Sequence, residues 1–212
     1  MSVQPEVIPI QSRFGVTTHN TLLRQESGSD KLLIMLPGRA YTCDFPMFYY
    51  LRSAAVQQGY DVLSVEYGFQ AAHTTFNPPQ APDLVADIND TVQPILARKY
   101  KHIVVAGKSL GTPLAANLAR SISGSSVSLL LLTPIGDSTK GIDDIRTLVV
   151  IGTADPVYSA EDIAKFEGHP NVKWRVFDDL DHGLEVTDHW RESVAVIPNI
   201  IEACAEFLGQ TP

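Results

Sequence analysis

The chain has 212 residues, of which 44% are hydrophobic and 19% charged, and its formal net charge is −8. This length and composition are typical of a globular domain with a buried core, so we predict a single domain over residues 1–212. The negative charge argues against nucleic acid or an anionic membrane as a partner, and no apolar run approaches the ~20 residues of a membrane span.

Strands and helices alternate in the first half of the chain. Irregular strand-like segments within residues 6–25 predict an edge hairpin, and the continuous apolar run 31–36 predicts a strand buried on both faces. A helix is predicted from about residue 45 to residue 58, and the next strand over 61–65. A long loop over 66–80 follows, and loops of this length inside compact domains are usually functional or mobile.

The second half continues the alternation. The predicted strands and helices after the long loop are a helix over 81–99, strands over 102–106, 127–132, 147–151 and 172–177, and helices over 159–166 and about 188–208. Apolar strands that alternate with helices predict an α/β fold with a mostly parallel sheet covered on both faces, which is a three-layer α/β/α sandwich.

A Gly-x-Ser-x-Gly turn joins the strand at 102–106 to a helix-forming run. The serine is Ser109, and the flanking glycines are Gly107 and Gly111. A turn this tight leaves no room for side chains at the flanking positions, and it presents the serine hydroxyl in a strained backbone conformation. The first helical N–H groups behind it could hold an oxyanion. The pattern therefore favours a nucleophilic serine.

Residues 107–109 also match the end of a phosphate-binding loop. That loop requires a glycine five residues before Gly107, where this chain has His102, and the intervening residues are strand-like. A nucleotide site is therefore disfavoured.

Three reactive residue types follow predicted strands in the order Ser109, Asp155, His182. Ligands of open parallel sheets bind at the carboxyl ends of the strands, which is where these residues lie. A serine hydroxyl needs a base to remove its proton, and a histidine that is oriented by a carboxylate supplies one. Asp137, which follows the preceding strand, is the rival acid.

With these motifs the chain resembles the α/β-hydrolase superfamily, in particular its small, capless members similar to dienelactone hydrolases and carboxylesterases. The resemblance rests on the turn 107–111, the loop 152–156 and the loop 181–183. It implies that Ser109 is the nucleophile, Asp155 the acid and His182 the general base. Only fourteen residues separate Leu132 from Thr147, where larger relatives insert a lid, so no helical cap is expected.

The resemblance also implies an oxyanion hole made of two backbone N–H groups. One is that of Leu110, and the other comes from the loop after the strand 31–36, with Arg39 as the expected donor. That loop often begins His-Gly in the superfamily, whereas this chain has Pro37-Gly38. The change retains the backbone donor and removes a side chain that often orders the loop.

Loops beside the serine supply the predicted substrate pocket. Its expected wall is aromatic and consists of Tyr41, Phe69, Phe76 and Tyr158, with ordinary packing under a loop as the alternative for each. Arg39 could bind an anionic group of the substrate, or it could form a surface ion pair, for example with Glu66.

The resulting hypothesis is a serine hydrolase that cleaves an ester or related acyl bond of a small molecule without a cofactor. The alternatives are a thioester, lactone or carbon–carbon hydrolase of the same fold, or a non-catalytic ligand-binding protein.

No metal site is expected, because the chain has no Cys-x-x-Cys and no histidine pair at helical ligand spacing. Two cysteines and an N-terminus unlike a signal peptide predict a cytoplasmic protein with free thiols. The sequence predicts no oligomeric state.

Overall fold

The computed structural model describes residues 2–136, 138–157 and 169–210. An antiparallel hairpin of β1 (Val3–Gln11) and β2 (Thr17–Gln25) begins the chain, and β3 (Lys31–Leu36) follows. The next elements are α1 (Pro46–Gln57), β4 (Asp61–Ser64), the short helix α2 (Gly68–Ala71) and a 3₁₀ turn (Pro78–Gln80). The predicted long loop thus contains two short helical segments.

The remaining described elements follow in the order that the sequence predicts. They are α3 (Ala81–Leu96), β5 (His102–Lys108), α4 (Gly111–Ser121), β6 (Ser126–Leu132), β7 (Arg146–Gly152), β8 (Val172–Phe177) and α5 (Trp190–Gly209). The helix predicted over 159–166, the wall residue Tyr158 and the rival acid Asp137 lie outside the described residues.

One eight-stranded sheet has the order β1-β2-β4-β3-β5-β6-β7-β8. The pairs from β4 to β8 are all parallel, and β2 joins β4 antiparallel, so the hairpin forms one edge. The prediction of a mostly parallel sheet with an edge hairpin is confirmed.

Each face of the sheet has its own apolar core, which explains why the strands lack alternation of apolar and polar residues. Along β3, Leu32, Ile34 and Leu36 pack on one face with residues of α3 and α4. Leu33 and Met35 pack on the other face with residues of α1 and α5. Successive strand side chains point to opposite faces, so a strand covered on both sides must be apolar throughout. The result is the predicted three-layer sandwich.

The segment between β6 and β7 packs onto the domain instead of forming a lid. Ile142 is buried in the same apolar core as residues of α4, and the Thr112 and Ser138 hydroxyls hydrogen-bond at 3.1 Å. The described part of this segment contains no helix, so no cap covers the carboxyl ends of the strands from that side.

No helix in the described part of the chain is long and apolar enough to cross a membrane. Both cysteines, Cys43 and Cys204, are buried free thiols, as predicted.

Candidate active site

The turn after β5 holds Ser109 in a left-handed backbone conformation, with φ of 49°. A Cβ on Gly107 would overlap the Gly111 carbonyl, and a Cβ on Gly111 would overlap the Leu36 carbonyl. The Ser109 N–H donates to the Leu132 carbonyl at 3.0 Å, and Thr112 donates to the Ser109 carbonyl from both its N–H (2.8 Å) and its hydroxyl (2.7 Å). Close packing therefore requires both glycines, and these hydrogen bonds hold the strained serine in place.

A continuous hydrogen-bonded chain joins the three side chains that the sequence analysis singles out. His182 Nε2 lies 2.9 Å from Ser109 Oγ, and His182 Nδ1 lies 2.8 Å from Asp155 Oδ2. The Asp155 side chain is fully buried, whereas 32% of the His182 side chain is exposed. A buried carboxylate can only accept, so it favours the tautomer in which Nδ1–H donates and Nε2 faces the serine hydroxyl. In this geometry Nε2 is placed to accept a proton from the Ser109 hydroxyl, and Asp155 fixes the orientation of the ring.

The loops that carry Asp155 and His182 are tied to each other. A Cβ on Gly152 would overlap the Leu180 carbonyl, and the Ala154 N–H donates to the same carbonyl at 3.0 Å. Asp155 also accepts the Val157 N–H at 2.9 Å through Oδ1, which leaves Oδ2 for His182. Asp155 and His182 lie 27 positions apart in the sequence, and main-chain contacts as well as their own side chains fix their relative position.

The Asp181 carboxylate organises the loop that carries His182. Its Oδ1 accepts the N–H groups of Gly183 (2.7 Å) and Glu185 (3.2 Å), and its Oδ2 accepts the Thr187 hydroxyl at 3.2 Å. Side-chain to backbone bonds of this kind hold a short loop in one conformation without regular secondary structure. In the sequence, Asp181 is only one member of the loop 181–183, and no role is predicted for it.

The two expected oxyanion donors flank Ser109. Leu110 precedes the first turn of α4, and a Cβ on Gly38, the neighbour of Arg39, would lie 3.6 Å from Ser109 Cβ. The Gln70 amide donates to the carbonyls of Gly38 (2.8 Å) and Arg39 (3.3 Å), so a glutamine of α2 orders the loop that lacks the usual histidine. Neither the Leu110 nor the Arg39 N–H bonds to another residue in the described ranges.

A family model described as an alpha/beta hydrolase domain matches residues 30–209. The chain belongs to the α/β-hydrolase family. No curated protein matches this α/β-hydrolase chain.

Solved structures share the fold of this α/β-hydrolase at low sequence identity. An esterase of Pyrococcus furiosus is 17% identical, with a TM-score of 0.71, over 97% of this chain and 90% of that chain. An α/β serine hydrolase without a lid from Xanthomonas campestris is 12% identical, with a TM-score of 0.68, over 100% of this chain and 99% of that chain. An α/β serine hydrolase homologue from Coxiella burnetii is 16% identical, with a TM-score of 0.66, over 93% and 96%. At these identities the likeness concerns the fold, which is capless as predicted.

Two of the predicted wall residues of this α/β-hydrolase are core residues, which corrects the sequence analysis. Phe69 is 1% exposed and Phe76 is 8% exposed, and the two rings pack against each other with centroids 5.3 Å apart. Phe14 and Tyr67 complete the cluster. The long loop folds its aromatic residues inward because the hairpin and α3 leave apolar space there, so these rings offer no open wall.

Tyr41 and Arg39 lie beside the serine turn in different environments. Tyr41 is partly buried, its hydroxyl accepts the Met47 N–H at 2.9 Å, and burial raises its pKa to about 12. Arg39 is exposed, and its guanidinium pairs with no carboxylate of the described chain. The alternative partner Glu66 instead accepts the His19 N–H at 2.6 Å.

Lys108 is a buried residue of the site for which the sequence predicts no role. Its side chain is 2% exposed, and its Nζ donates to the Thr133 hydroxyl at 3.0 Å and to the His182 carbonyl at 2.9 Å. Burial lowers the pKa of Lys108 to about 8, although the carboxylates of Asp155, Asp181 and Glu185 oppose the shift. Its position at the end of an apolar strand is the signal in the sequence that could have identified it. Lysine is almost never fully buried without a specific partner, so a lysine at such a position suggests a specific contact.

Proposed function

We propose that this protein is a serine hydrolase that cleaves an ester or related acyl bond of a small molecule. The observation that carries the proposal is the unbroken hydrogen-bond chain from Asp155 through His182 to Ser109, on a strained turn beside backbone N–H groups that bond to no described residue. Serine becomes a useful nucleophile only when a base in hydrogen-bond reach removes its proton during attack.

The proposed reaction has two halves. Ser109 Oγ attacks the carbonyl carbon while His182 Nε2 takes the hydroxyl proton, and the N–H groups of Leu110 and Arg39 donate to the oxyanion. The tetrahedral intermediate collapses, and His182 returns the proton to the departing alkoxide. Water then attacks the acyl-enzyme with His182 as base, which releases the acid and restores Ser109. Asp155 stabilises the imidazolium in both halves, and every step uses protein groups and water.

A fluorophosphonate probe tests the proposal, because it reacts only with an activated serine. We expect folded wild type to be labelled on the peptide that contains Ser109, and Ser109→Ala and heat-unfolded wild type to remain unlabelled. Folded wild type that resists the probe would instead favour the non-catalytic ligand-binding alternative. A panel of matched esters, thioesters and lactones then identifies the bond, since the triad chemistry serves all three.

Arg39 extends the proposal to the substrate. Its guanidinium is exposed beside the proposed oxyanion site and has no carboxylate partner in the ranges that the structure covers, so it is free to bind an anionic group of the substrate. Tyr41 borders the same side of the turn, since a Cβ on Gly38 would lie 3.1 Å from Tyr41 Cβ. We therefore include Arg39 as an anion-binding residue and Tyr41 as a wall residue of the pocket.

Arg39→Gln removes the charge and retains the backbone N–H, so it separates the two roles of this residue. We expect KM to rise about tenfold for a monoester of a dicarboxylic acid, the loss expected for one exposed charge-assisted contact. The neutral methylated diester of the same acid should keep its KM, because the oxyanion donor is unchanged. Equal effects on both substrates, or no effect on either, would remove Arg39 from substrate binding.

A further inference from the structure

Lys108 places a cation in the interior directly behind the proposed nucleophile. It is the last residue of β5, so its main chain leads into Ser109 while its side chain reaches the loop of His182. The Nζ atom also lies 4.9 Å from the centroid of the Tyr41 ring. The three ammonium hydrogens thus face a hydroxyl, a carbonyl and an aromatic face.

This arrangement does not stabilise the fold efficiently. No carboxylate of the described residues lies within ion-pairing distance of Lys108, although the side chain is only 2% exposed. Removing an ammonium from water costs free energy that neutral partners recover only in part, and an apolar side chain of similar length would avoid that cost. A buried charge that lowers stability in this way is expected at functional sites.

The hydrogen bond from Lys108 Nζ to the His182 carbonyl indicates what the cation does. Among the described residues, the only hydrogen bond to the main chain of His182 comes from Lys108 Nζ. The imidazole must stay within 2.9 Å of Ser109 Oγ and 2.8 Å of Asp155 Oδ2 at once. The main chain of its loop neighbours is bonded through the Asp181 carboxylate and the Leu180 carbonyl, whereas the described main-chain contact of His182 itself is the one from Lys108.

We propose that Lys108 is a positioning residue whose ammonium holds the His182 main chain and so keeps the imidazole in line between Ser109 and Asp155. Lys108 thereby sets the distance between nucleophile and base, because its main chain leads into Ser109 and its side chain restrains His182. The Thr133 hydroxyl serves as a second anchor that fixes Nζ; Thr133 is itself held by its N–H bond to the Val150 carbonyl at 2.8 Å. The inference rests on the proposed hydrolase function.

The test compares Lys108→Met with wild type in steady-state kinetics. Misplacing a catalytic group by about 1 Å costs roughly 10²-fold in rate, so we expect kcat to fall by about that factor while KM stays nearly unchanged. The thermal midpoint should be unchanged or higher, since a buried charge is removed. Lys101→Met is the matched control: Lys101 is exposed, pairs with Asp30 at 3.1 Å and precedes the opposite end of the same strand, so its kcat should equal that of wild type.

A spectroscopic measurement makes the test independent of turnover. The downfield proton resonance of the His182 Nδ1–H reports its bond to Asp155, and we expect it to broaden or vanish in Lys108→Met and to persist in Lys101→Met. Thr133→Val, which removes only the second anchor, should show a smaller change of the same kind. If Lys108→Met does not fold, Thr133→Val provides the test in its place.

The outcomes separate this inference from the function on which it rests. A Lys108→Met protein with wild-type kcat and an intact resonance would overturn the positioning role and leave the hydrolase proposal standing. A fall in kcat that parallels a fall in thermal midpoint, with the resonance retained, would assign Lys108 to stability alone. A wild type that is not labelled at Ser109 would reject the hydrolase proposal, while loss of the resonance in Lys108→Met would still identify the contact that orients His182.

Discussion

Ser109→Ala is expected to lower ester turnover by roughly 10⁶-fold, the loss measured when the nucleophile of another serine hydrolase is removed. The methyl group cannot form the acyl-enzyme, and His182 then has no proton to take. The residual rate should reflect only the oxyanion donors and substrate binding, which act without the serine. The measurement is kcat/KM with the ester of the panel that wild type cleaves most efficiently. KM is determined separately and should stay the same, because the substitution leaves the pocket unchanged.

Ser121→Ala is the control for this variant. Ser121 is an exposed residue at the end of α4, and its hydroxyl donates to the Leu118 carbonyl at 2.7 Å. Its turnover should match that of wild type. Substantial turnover by purified Ser109→Ala would assign the chemistry to a different nucleophile and reject the proposed reaction.

Asp155→Asn is expected to reduce kcat by about 10⁴-fold, because an amide in this position favours the wrong imidazole tautomer. The asparagine nitrogen would donate to Nδ1, so Nε2 would carry the proton and could not accept one from Ser109. The fully buried side chain allows no water to take over the carboxylate's role. Circular dichroism and thermal unfolding should show that the variant keeps the fold, since the Asn oxygen can still accept the Val157 N–H.

Asp137→Asn is the matched comparison, because Asp137 follows β6 as Asp155 follows β7. If Asp155 is the acid, Asp137→Asn should retain nearly all of the wild-type turnover. The reverse pattern, in which Asp137→Asn loses turnover and Asp155→Asn retains it, would transfer the role to Asp137 and contradict the proposed reaction as written.

The layered fold could be predicted because local patterns determine it. Runs such as Leu32–Leu36 without alternation require cover on both faces, and that condition together with intervening helices leaves a parallel sheet as the solution. A parallel sheet brings the carboxyl ends of its strands to one edge. Ser109, Asp155 and His182 each follow a strand closely, so the fold class alone leads to the expectation that they lie together, and their catalytic roles stay predictions.

The pocket wall could not be predicted in the same way. Phe69 and Phe76 lie in a segment without periodicity, so nothing local indicates whether their rings face solvent or the interior. The outcome depends on the apolar space that the hairpin and α3 leave between them, to which residues distant in the chain contribute. The same holds for Gln70, which bonds to the Gly38 and Arg39 carbonyls 32 and 31 positions away.

By itself, the sequence determines the α/β sandwich, the strained turn at Ser109 and the edge at which Asp155 and His182 arrive, because strand periodicity and tight-turn sterics act over a few residues. The tertiary structure alone decides that Phe69 and Phe76 are core residues, that Arg39 remains without a carboxylate partner in the described chain, and that Lys108 bonds to the His182 carbonyl. These contacts join segments far apart in the sequence, and their geometry follows from how the loops pack once the sheet has formed.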